Sequence, residues 1–182
     1  MMYKTHLATS IALSAALVST VSSYPFTISF LAGVSLGSLL PDIDEPKSFI
    51  GRRSFGLAVI IKRKFGHRGI THSLCIWISL LLFLLLLIPN PFTLGISLGY
   101  FFHILGDYFS VSGVPLFSPI DNVRRKSPLT YKTSGKAETV IYYVAILISL
   151  FFILDDKMLT PFIESVWELV TGVLSFFFQT LG

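Results

Sequence analysis

The sequence predicts an all-α membrane protein, a polytopic helical bundle of five transmembrane helices followed by a C-terminal helix that is either amphipathic or a sixth span. Three observations lead to this prediction. Hydrophobic residues make up 53% of the 182-residue chain, charged residues make up 13%, and the apolar residues fall into six separate runs. A soluble domain carries about 25% charged residues, so this chain has too few to cover a soluble surface. Its length suits one integral membrane domain over residues 1–182.

The six apolar runs are the predicted helices. Each is about 15–17 residues long, so we expect neighbouring polar residues to complete the roughly 20 that a full span requires. Turn-forming residues at 22–25 and 89–91 predict tight hairpins between the first and second runs and between the third and fourth. The runs are 7–23, 26–40, 73–88, 92–106, 139–154 and 162–178.

The first and last runs each leave an alternative open. Residues 1–23 could be a cleaved signal peptide, because Lys4 precedes an apolar stretch and residues 21–23 weakly resemble a cleavage site. We favour a retained helix, since Ser and Thr dilute this stretch and a second run follows at once. The last run either lies in the interface plane or spans with a polar stripe facing the bundle. The stripe consists of Glu164, Glu168, Thr171, Ser175 and Gln179.

Alternating helices predict the orientation of the protein. If the first five runs alternate in direction, the histidines and their neighbouring carboxylates all meet at one face of the membrane. Thirteen of the fourteen Lys and Arg residues fall on the same face, and Lys157 is the exception. Positively charged loops stay in the cytoplasm, so we predict a multi-pass protein of the bacterial inner membrane whose candidate site faces the cytoplasm.

The histidines and carboxylates at the ends of the runs predict a metal site. Imidazole and carboxylate groups are the side chains that bind zinc and similar divalent ions, and ionisable groups near a membrane usually have a function. His103 and Asp107 are four residues apart and therefore share a helix face. In extended backbone, Asp42 and Asp44 would point the same way. The candidate metal ligands are His6, Asp42, His67, His72, His103, Asp107 and Glu138.

Four segments together resemble a known family. They are His6-Leu7 near the N-terminus, LLPDIDEPKSFIG, FGHRGITHSL and LGYFFHILGDYFSVSGVPLFSPI. The combination, which covers about residues 4–140, resembles the YdjM-like family of bacterial inner-membrane-associated proteins described as metal-dependent hydrolases. The resemblance implies a multi-helix membrane protein with the candidate ligands and Asp44 at the family's polar positions.

A remoter similarity concerns the H-x-x-x-D pattern of His103 and Asp107, which resembles the zinc-dependent phospholipase C and P1 nuclease group. Those enzymes bind several zinc ions with His, Asp and Glu residues on helices. This chain lacks their N-terminal Trp ligand, so a full three-metal site is not expected.

These observations favour a metallohydrolase that binds one or two divalent ions, with zinc as the first choice. The ions would activate a water molecule and polarise a phosphoryl or acyl group. We interpret Asp44 as the base for the attacking water and Arg68 as the residue that binds the substrate anion. A site at the membrane interface suits a membrane lipid, so a phospholipid or lipid phosphate is the expected substrate.

Two other functions remain open at this stage. The polar cluster could serve a non-catalytic membrane regulator or a transporter-like protein, which would bind a partner or an ion without turnover. Nucleic-acid binding through the basic residues is the weakest hypothesis, because no recognition motif accompanies them. We therefore expect no nucleic-acid partner, and the sequence indicates no oligomeric state.

Overall fold

The computed structural model describes residues 1–20 and 26–181, and within them it contains seven α-helices, three short 3-10 helices and no β-strand. The all-α fold class is therefore confirmed. The α-helices are α1 (Tyr3–Thr20), α2 (Ile28–Gly37), α3 (Leu57–Phe65), α4 (Leu74–Leu87), α5 (Pro91–Tyr108), α6 (Lys136–Ile153) and α7 (Asp156–Leu181). The 3-10 helices are Leu40–Asp44, Gly51–Arg53 and Ile70–His72.

Each predicted apolar run corresponds to one α-helix, and α3 is an addition that the apolar runs did not predict. The tight link at 89–91 is confirmed, since Asn90 caps α5 by accepting a hydrogen bond from the backbone N–H of Thr93 at 3.0 Å. Ser73 caps α4 by accepting a hydrogen bond from the backbone N–H of Ile76. The predicted link at 22–25 and the candidate cleavage site at 21–23 lie outside the described residues.

The predicted number of membrane spans is wrong. Within the described residues, two helices are long and apolar enough to cross a membrane, Lys136–Ile153 in α6 and Leu159–Gln179 in α7. α2 has ten residues and α4 has fourteen, which correspond to about 15 and 21 Å of helix against a hydrocarbon core of about 30 Å. α1 and α5 have eighteen residues each, but their polar and small residues lower the hydrophobicity of both helices.

α2 and α5 pack with their backbones in direct contact. A Cβ atom added to Gly37 would lie 2.1 Å from the carbonyl oxygen of Ile96, and one added to Gly99 would lie 2.2 Å from that of Val34. Small residues permit this approach, which is the usual way in which helices associate closely inside a membrane. The glycines in this contact are Gly33, Gly37, Gly95 and Gly99.

Gly37→Ala should destabilise the fold by about 3 kcal/mol, the upper end of the usual cost of overpacking. The added methyl group meets backbone rather than a flexible side chain, so α2 and α5 must separate. Thermal unfolding in detergent measures the loss. Gly172→Ala is the matched control, because nothing lies within 4 Å of its added Cβ. Equal midpoints for the two variants would contradict the tight α2–α5 contact.

The packing places one end of each central helix at a common point. α1 packs on α5 and α6, while α2 packs on α5 and continues into the 3-10 helix Leu40–Asp44. The segment that precedes α4 contacts the same 3-10 helix. The start of α1, the end of α2, the second half of α5 and the start of α6 therefore surround one polar region, which contains the candidate site.

Candidate metal centre

The structure brings six of the predicted polar side chains into one buried cluster. α1 supplies one histidine, the 3-10 helix Leu40–Asp44 supplies two aspartates, the 3-10 helix Ile70–His72 supplies one histidine, and α5 supplies a histidine and an aspartate. Three overlapping groups within the cluster have ligand atoms close enough to hold a metal ion. They are His72–His103–Asp107, His6–Asp42–His103 and Asp42–Asp44–His72.

The first of these groups has the spacing of a zinc site. The two Nε2 atoms of His72 and His103 are 3.3 Å apart, and they lie 3.5 and 3.7 Å from Oδ2 of Asp107. With zinc bonds of about 2.0–2.2 Å, ligand atoms at the corners of a tetrahedron lie roughly 3.3–3.6 Å apart. Three protein ligands with a fourth position left for water or substrate are typical of catalytic zinc sites.

The hydrogen bonds of the two histidines direct their Nε2 lone pairs toward each other. His103 Nδ1 donates to the carbonyl oxygen of Ser38 at 2.7 Å, which leaves its Nε2 as an acceptor. His72 Nδ1 lies 3.2 Å from Oδ2 of Asp44 and 3.1 Å from Oγ1 of Thr71. Since Thr71 donates its own proton to Asp44, it can accept from His72. A carboxylate behind a histidine is the usual support of a metal ligand.

Asp107 and His6 carry buried polar atoms that have no hydrogen-bond partner among the described residues: Oδ2 of Asp107 and both ring nitrogens of His6. Such atoms are costly to bury, and a bound ion is one explanation for them. The ring of His6 stacks on that of His103 with centroids 3.6 Å apart. Together with the donor set of nitrogens and carboxylate oxygens, these atoms fit a divalent ion.

Asp44 lies in the middle of a network of donors. Its Oδ1 accepts from Nδ1 of His67 at 2.9 Å, while Oδ2 accepts from the backbone N–H of Arg68 at 2.9 Å and from the hydroxyl of Thr71 at 2.6 Å. The backbone here is a 3-10 helix and not the extended strand that would have aimed Asp42 and Asp44 in parallel. Asp44 is completely buried, and Asp42 is partly exposed.

Arg68 has a left-handed backbone conformation with a φ of 53°, which typically costs a residue other than glycine about 1–2 kcal/mol. This conformation directs its N–H toward Asp44. Its guanidinium group donates to Oδ1 of Asp107 at 2.8 Å and to Oγ of Ser110 at 2.9 Å. Arg68 therefore joins the two carboxylates, and strain of this kind is common at functional sites.

The electrostatics of the cluster favour a cation. Burial would raise the pKa of Asp44, but hydrogen bonds with His67, His72 and Thr71 hold it below the usual range of an aspartate. Burial would lower the pKa of His72, but the carboxylates of Asp42 and Asp44 raise it to about 9. The carboxylates that stabilise a proton on His72 would equally stabilise a metal cation, which would take the place of that proton at Nε2.

The other two predicted ligands lie outside the three groups. His67 is half-exposed, and its Nδ1 contacts Asp44. The carboxylate of Glu138 accepts hydrogen bonds from the backbone N–H groups of Met2 and Ser134. It thereby ties the start of α6 to the start of α1.

Two cavities lie next to the cluster. A polar one of about 240 Å³ contains Asp42, His67 and Arg68 in its wall together with the cations Lys47 and Arg52. A larger one of about 440 Å³ lies between α1, α5 and α6. Its lining is mostly apolar and includes Leu13, Phe102, Leu105, Phe109, Leu129 and Ile141.

Sequence reasoning missed the residues that orient the ligands. Ser38 acts through its carbonyl oxygen, which every residue has, so its identity carries no signal. Thr71 directly precedes His72 in the sequence and could have been considered as a hydroxyl partner of the site. Ser110 lies three residues after Asp107 and bonds Arg68. That contact depends on tertiary structure.

Comparison with known proteins finds one family. The family model described as "YdjM inner membrane protein" matches residues 1–181. The inner membrane protein YdjM of Escherichia coli (strain K12) is 46% identical over 90 residues, which are 46% of this chain and 46% of that protein. A protein of the same name from Shigella flexneri matches equally. The match therefore spans about half the length of these two curated relatives.

A more distant relative comes from a different organism. Protein YvsG of Bacillus subtilis (strain 168) is 32% identical over 111 residues, which are 60% of this chain and 69% of that protein. No solved structure matches the chain.

Proposed function

The chain belongs to the YdjM family of inner membrane proteins, and from that premise we propose that it is a metal-dependent hydrolase that acts on a phospholipid or lipid phosphate at the cytoplasmic surface of the bacterial inner membrane. The observation that carries this proposal is the group of His72, His103 and Asp107, whose three facing ligand atoms lie 3.3–3.7 Å apart.

These residues would hold one divalent ion, with zinc as the first choice because the donors are two imidazoles and a carboxylate. When bound there, such an ion would supply Lewis-acid chemistry for polarising a phosphoryl oxygen and activating water near neutral pH. His6 and Asp42 form an overlapping group with His103. Because Nδ1 of His103 donates to Ser38, both groups use Nε2 of His103, so His6 and Asp42 would offer further ligands to the same ion.

The charge of the polar cavity supports an anionic substrate. Three cations, Lys47, Arg52 and Arg68, lie in its wall against two carboxylates, Asp42 and Glu45, and Asp42 also belongs to the metal cluster. We propose that Arg68 contributes to binding the substrate anion, since its charge lies between Asp107 and the cavity. Planar guanidinium groups recognise phosphate oxygens well.

The apolar cavity supports a substrate with a hydrocarbon chain. Its volume of about 440 Å³ lies within the usual range for ligand sites. One wall contains Ile141 of α6, a helix apolar enough to span the membrane. Gly106 lines the same cavity, and a Cβ added to it would lie 3.6 Å from Nδ1 of His6. An amphiphile could therefore place its chain there and its phosphate near the cluster.

The charge pattern supports a cytoplasmic site. Basic residues surround the polar cavity, and positively charged segments are retained on the cytoplasmic side of inner membrane proteins. α6 begins beside the cluster, at the contact between Glu138 and Met2. With α6 as a span, the cluster would lie at the membrane surface where α6 enters.

Hydrolysis of a lipid phosphate tests the proposal. Purified protein loaded with zinc should release phosphate from phosphatidic acid in mixed micelles, and a chelator should stop the release. His72→Gln should lower the rate by at least about 10²-fold, because one of three metal ligands is removed. Asp121→Asn is a suitable control, since Asp121 is partly exposed and pairs with Arg125 outside the cluster.

The remaining outcomes of this assay distinguish a lipid phosphate hydrolase from the alternative functions. Phosphate release from a soluble aryl phosphate but not from micelles would keep the metal chemistry and reject the lipid substrate. Zinc binding without turnover on either substrate would reject the hydrolase and favour a regulator or an ion-binding transporter-like protein. Equal activity with and without metal would reject the metal mechanism.

A further inference from the structure

We propose that residues 46–66, here called the basic segment, are a second membrane contact of this protein, in which exposed apolar side chains enter an anionic lipid surface and neighbouring cations bind lipid phosphates. The contact is separate from the two helices that could span the membrane, and it does not depend on the proposed enzymatic activity.

The charge of the basic segment is entirely positive. It contains no aspartate or glutamate and six cations: Lys47, Arg52, Arg53, Lys62, Arg63 and Lys64. Only Lys62 forms an ion pair among the described residues, with Glu45 at 2.6 Å. The guanidinium of Arg53 lies 3.9 Å above the ring of Phe49. Five cations are therefore free to meet anions, and clusters of this size near a membrane typically bind anionic lipids.

Apolar side chains project from the same segment. Phe55 is fully exposed, and Leu57, Val59 and Ile60 are 47%, 56% and 64% exposed. Phe55 has a φ of 50° and is followed by Gly56 with a φ of 90°. This turn carries Phe55 away from the protein. Exposed aromatic and aliphatic side chains next to Lys and Arg are typical of helices that lie in a membrane interface.

The other described parts of the protein leave this surface uncovered. In the described chain, α3 packs on the 3-10 helices Leu40–Asp44 and Gly51–Arg53, and its one buried residue is Ala58. Lys64 and Arg63 extend from the exposed side together with Ile60. The exposed side of α3 is therefore available to a partner.

The charge and the side chains together favour a lipid surface over other partners. A second copy of the chain would bring six more cations against these, which is repulsive. A nucleic acid offers phosphates and could stack a base on Phe55, but it would leave the aliphatic side chains of Leu57, Val59 and Ile60 without an apolar partner. An anionic leaflet satisfies both the cations and the aliphatic groups.

The position of the basic segment agrees with this partner. The ring of Tyr3 stacks on Phe49 of the segment with centroids 5.4 Å apart, and Met2 contacts Glu138 at the start of α6. The segment therefore lies at the same end of the molecule as the end of a candidate membrane span. Phe49 and Arg52 also line the polar cavity, so docking would place the entrance of that cavity at the level of the lipid headgroups.

An environment-sensitive dye on Ile60 tests the proposal in the full-length protein. The single cysteine is first removed with Cys75→Ser, and Ile60→Cys is labelled with a nitrobenzoxadiazole dye and reconstituted in lipid nanodiscs. Replacing part of the phosphatidylcholine with phosphatidylglycerol should shift the emission to the blue and increase it several-fold. Adding Arg63→Gln and Lys64→Gln, or high salt, should reverse most of this change.

Ile120→Cys provides the matched control, because Ile120 is an isoleucine in a loop outside the basic segment and is even more exposed than Ile60, at 86%. The proposal would be overturned if the two labelled sites gave equal emission. It would also be overturned if the emission from position 60 did not change with the phosphatidylglycerol content. A blue shift that depends on the number of protein copies per disc would indicate self-association instead. A shift produced by duplex DNA in pure phosphatidylcholine discs would indicate a nucleic-acid surface, and both results count against a lipid contact.

Discussion

Asp107→Asn should reduce the zinc content of the detergent-purified protein at least tenfold. Oδ2 of Asp107 is a buried carboxylate oxygen without a hydrogen-bond partner among the described residues, and it faces both imidazole Nε2 atoms. An amide in its place removes the negative charge from the ligand set. Since mutation of supporting groups alone commonly costs 10–100-fold in metal affinity, loss of a direct ligand should cost at least as much. Elemental analysis after dialysis against limiting zinc measures the effect.

Two further variants make this result interpretable. Asp121→Asn is the matched substitution of an aspartate outside the cluster and should leave the zinc content unchanged. Asp107 also accepts a hydrogen bond from Arg68, so Asp107→Asn could disturb the fold. His103→Gln removes a ligand nitrogen without touching that bond, and it should lose zinc as well. Normal zinc content in His103→Gln with an unchanged melting temperature would place the metal elsewhere.

The parts of this site that could be predicted are those set by local spacing. His103 and Asp107 share a face of α5 because they are four residues apart. We expected His6, Asp42 and His72 to lie close to His103 because we assumed that consecutive apolar helices reverse direction. The contacts of α1 with α2 and of α4 with α5 agree with that assumption. The wrong count of spans had no effect on this result, because short helices that reverse direction bring their ends together just as full spans do.

The parts that could not be predicted depend on tertiary contacts. The left-handed conformation of Arg68 occurs where the residue bonds two carboxylates that are distant in sequence. α2 is only ten residues long because the chain turns into a 3-10 helix at Leu40, although the apolar pattern continues to that point. The exposed face of α3 was overlooked because the apolar run at 57–61 has only five residues, too few to form a span.

Asp44→Asn should lower zinc affinity about 10–100-fold while leaving the turnover of the fully zinc-loaded protein close to normal. Asp44 is completely buried and accepts hydrogen bonds from His67, Thr71 and the backbone of Arg68. Its oxygens are thus already occupied by donors. We therefore propose that Asp44 is a positioning residue that orients His72, whereas the sequence alone suggested a base for the attacking water.

Zinc titration and kinetics at saturating zinc separate the two roles of Asp44. A positioning residue changes the zinc dissociation constant, and excess zinc restores the turnover. A general base leaves zinc binding intact, and its loss typically lowers turnover by about 10²–10⁴-fold at any zinc concentration. Thr71→Val supplies a second readout, since it removes one donor to Asp44 at nearly constant volume. If this network positions His72, Thr71→Val should also weaken zinc binding. The effect should be smaller than that of Asp44→Asn, because the carboxylate that holds His72 is still present.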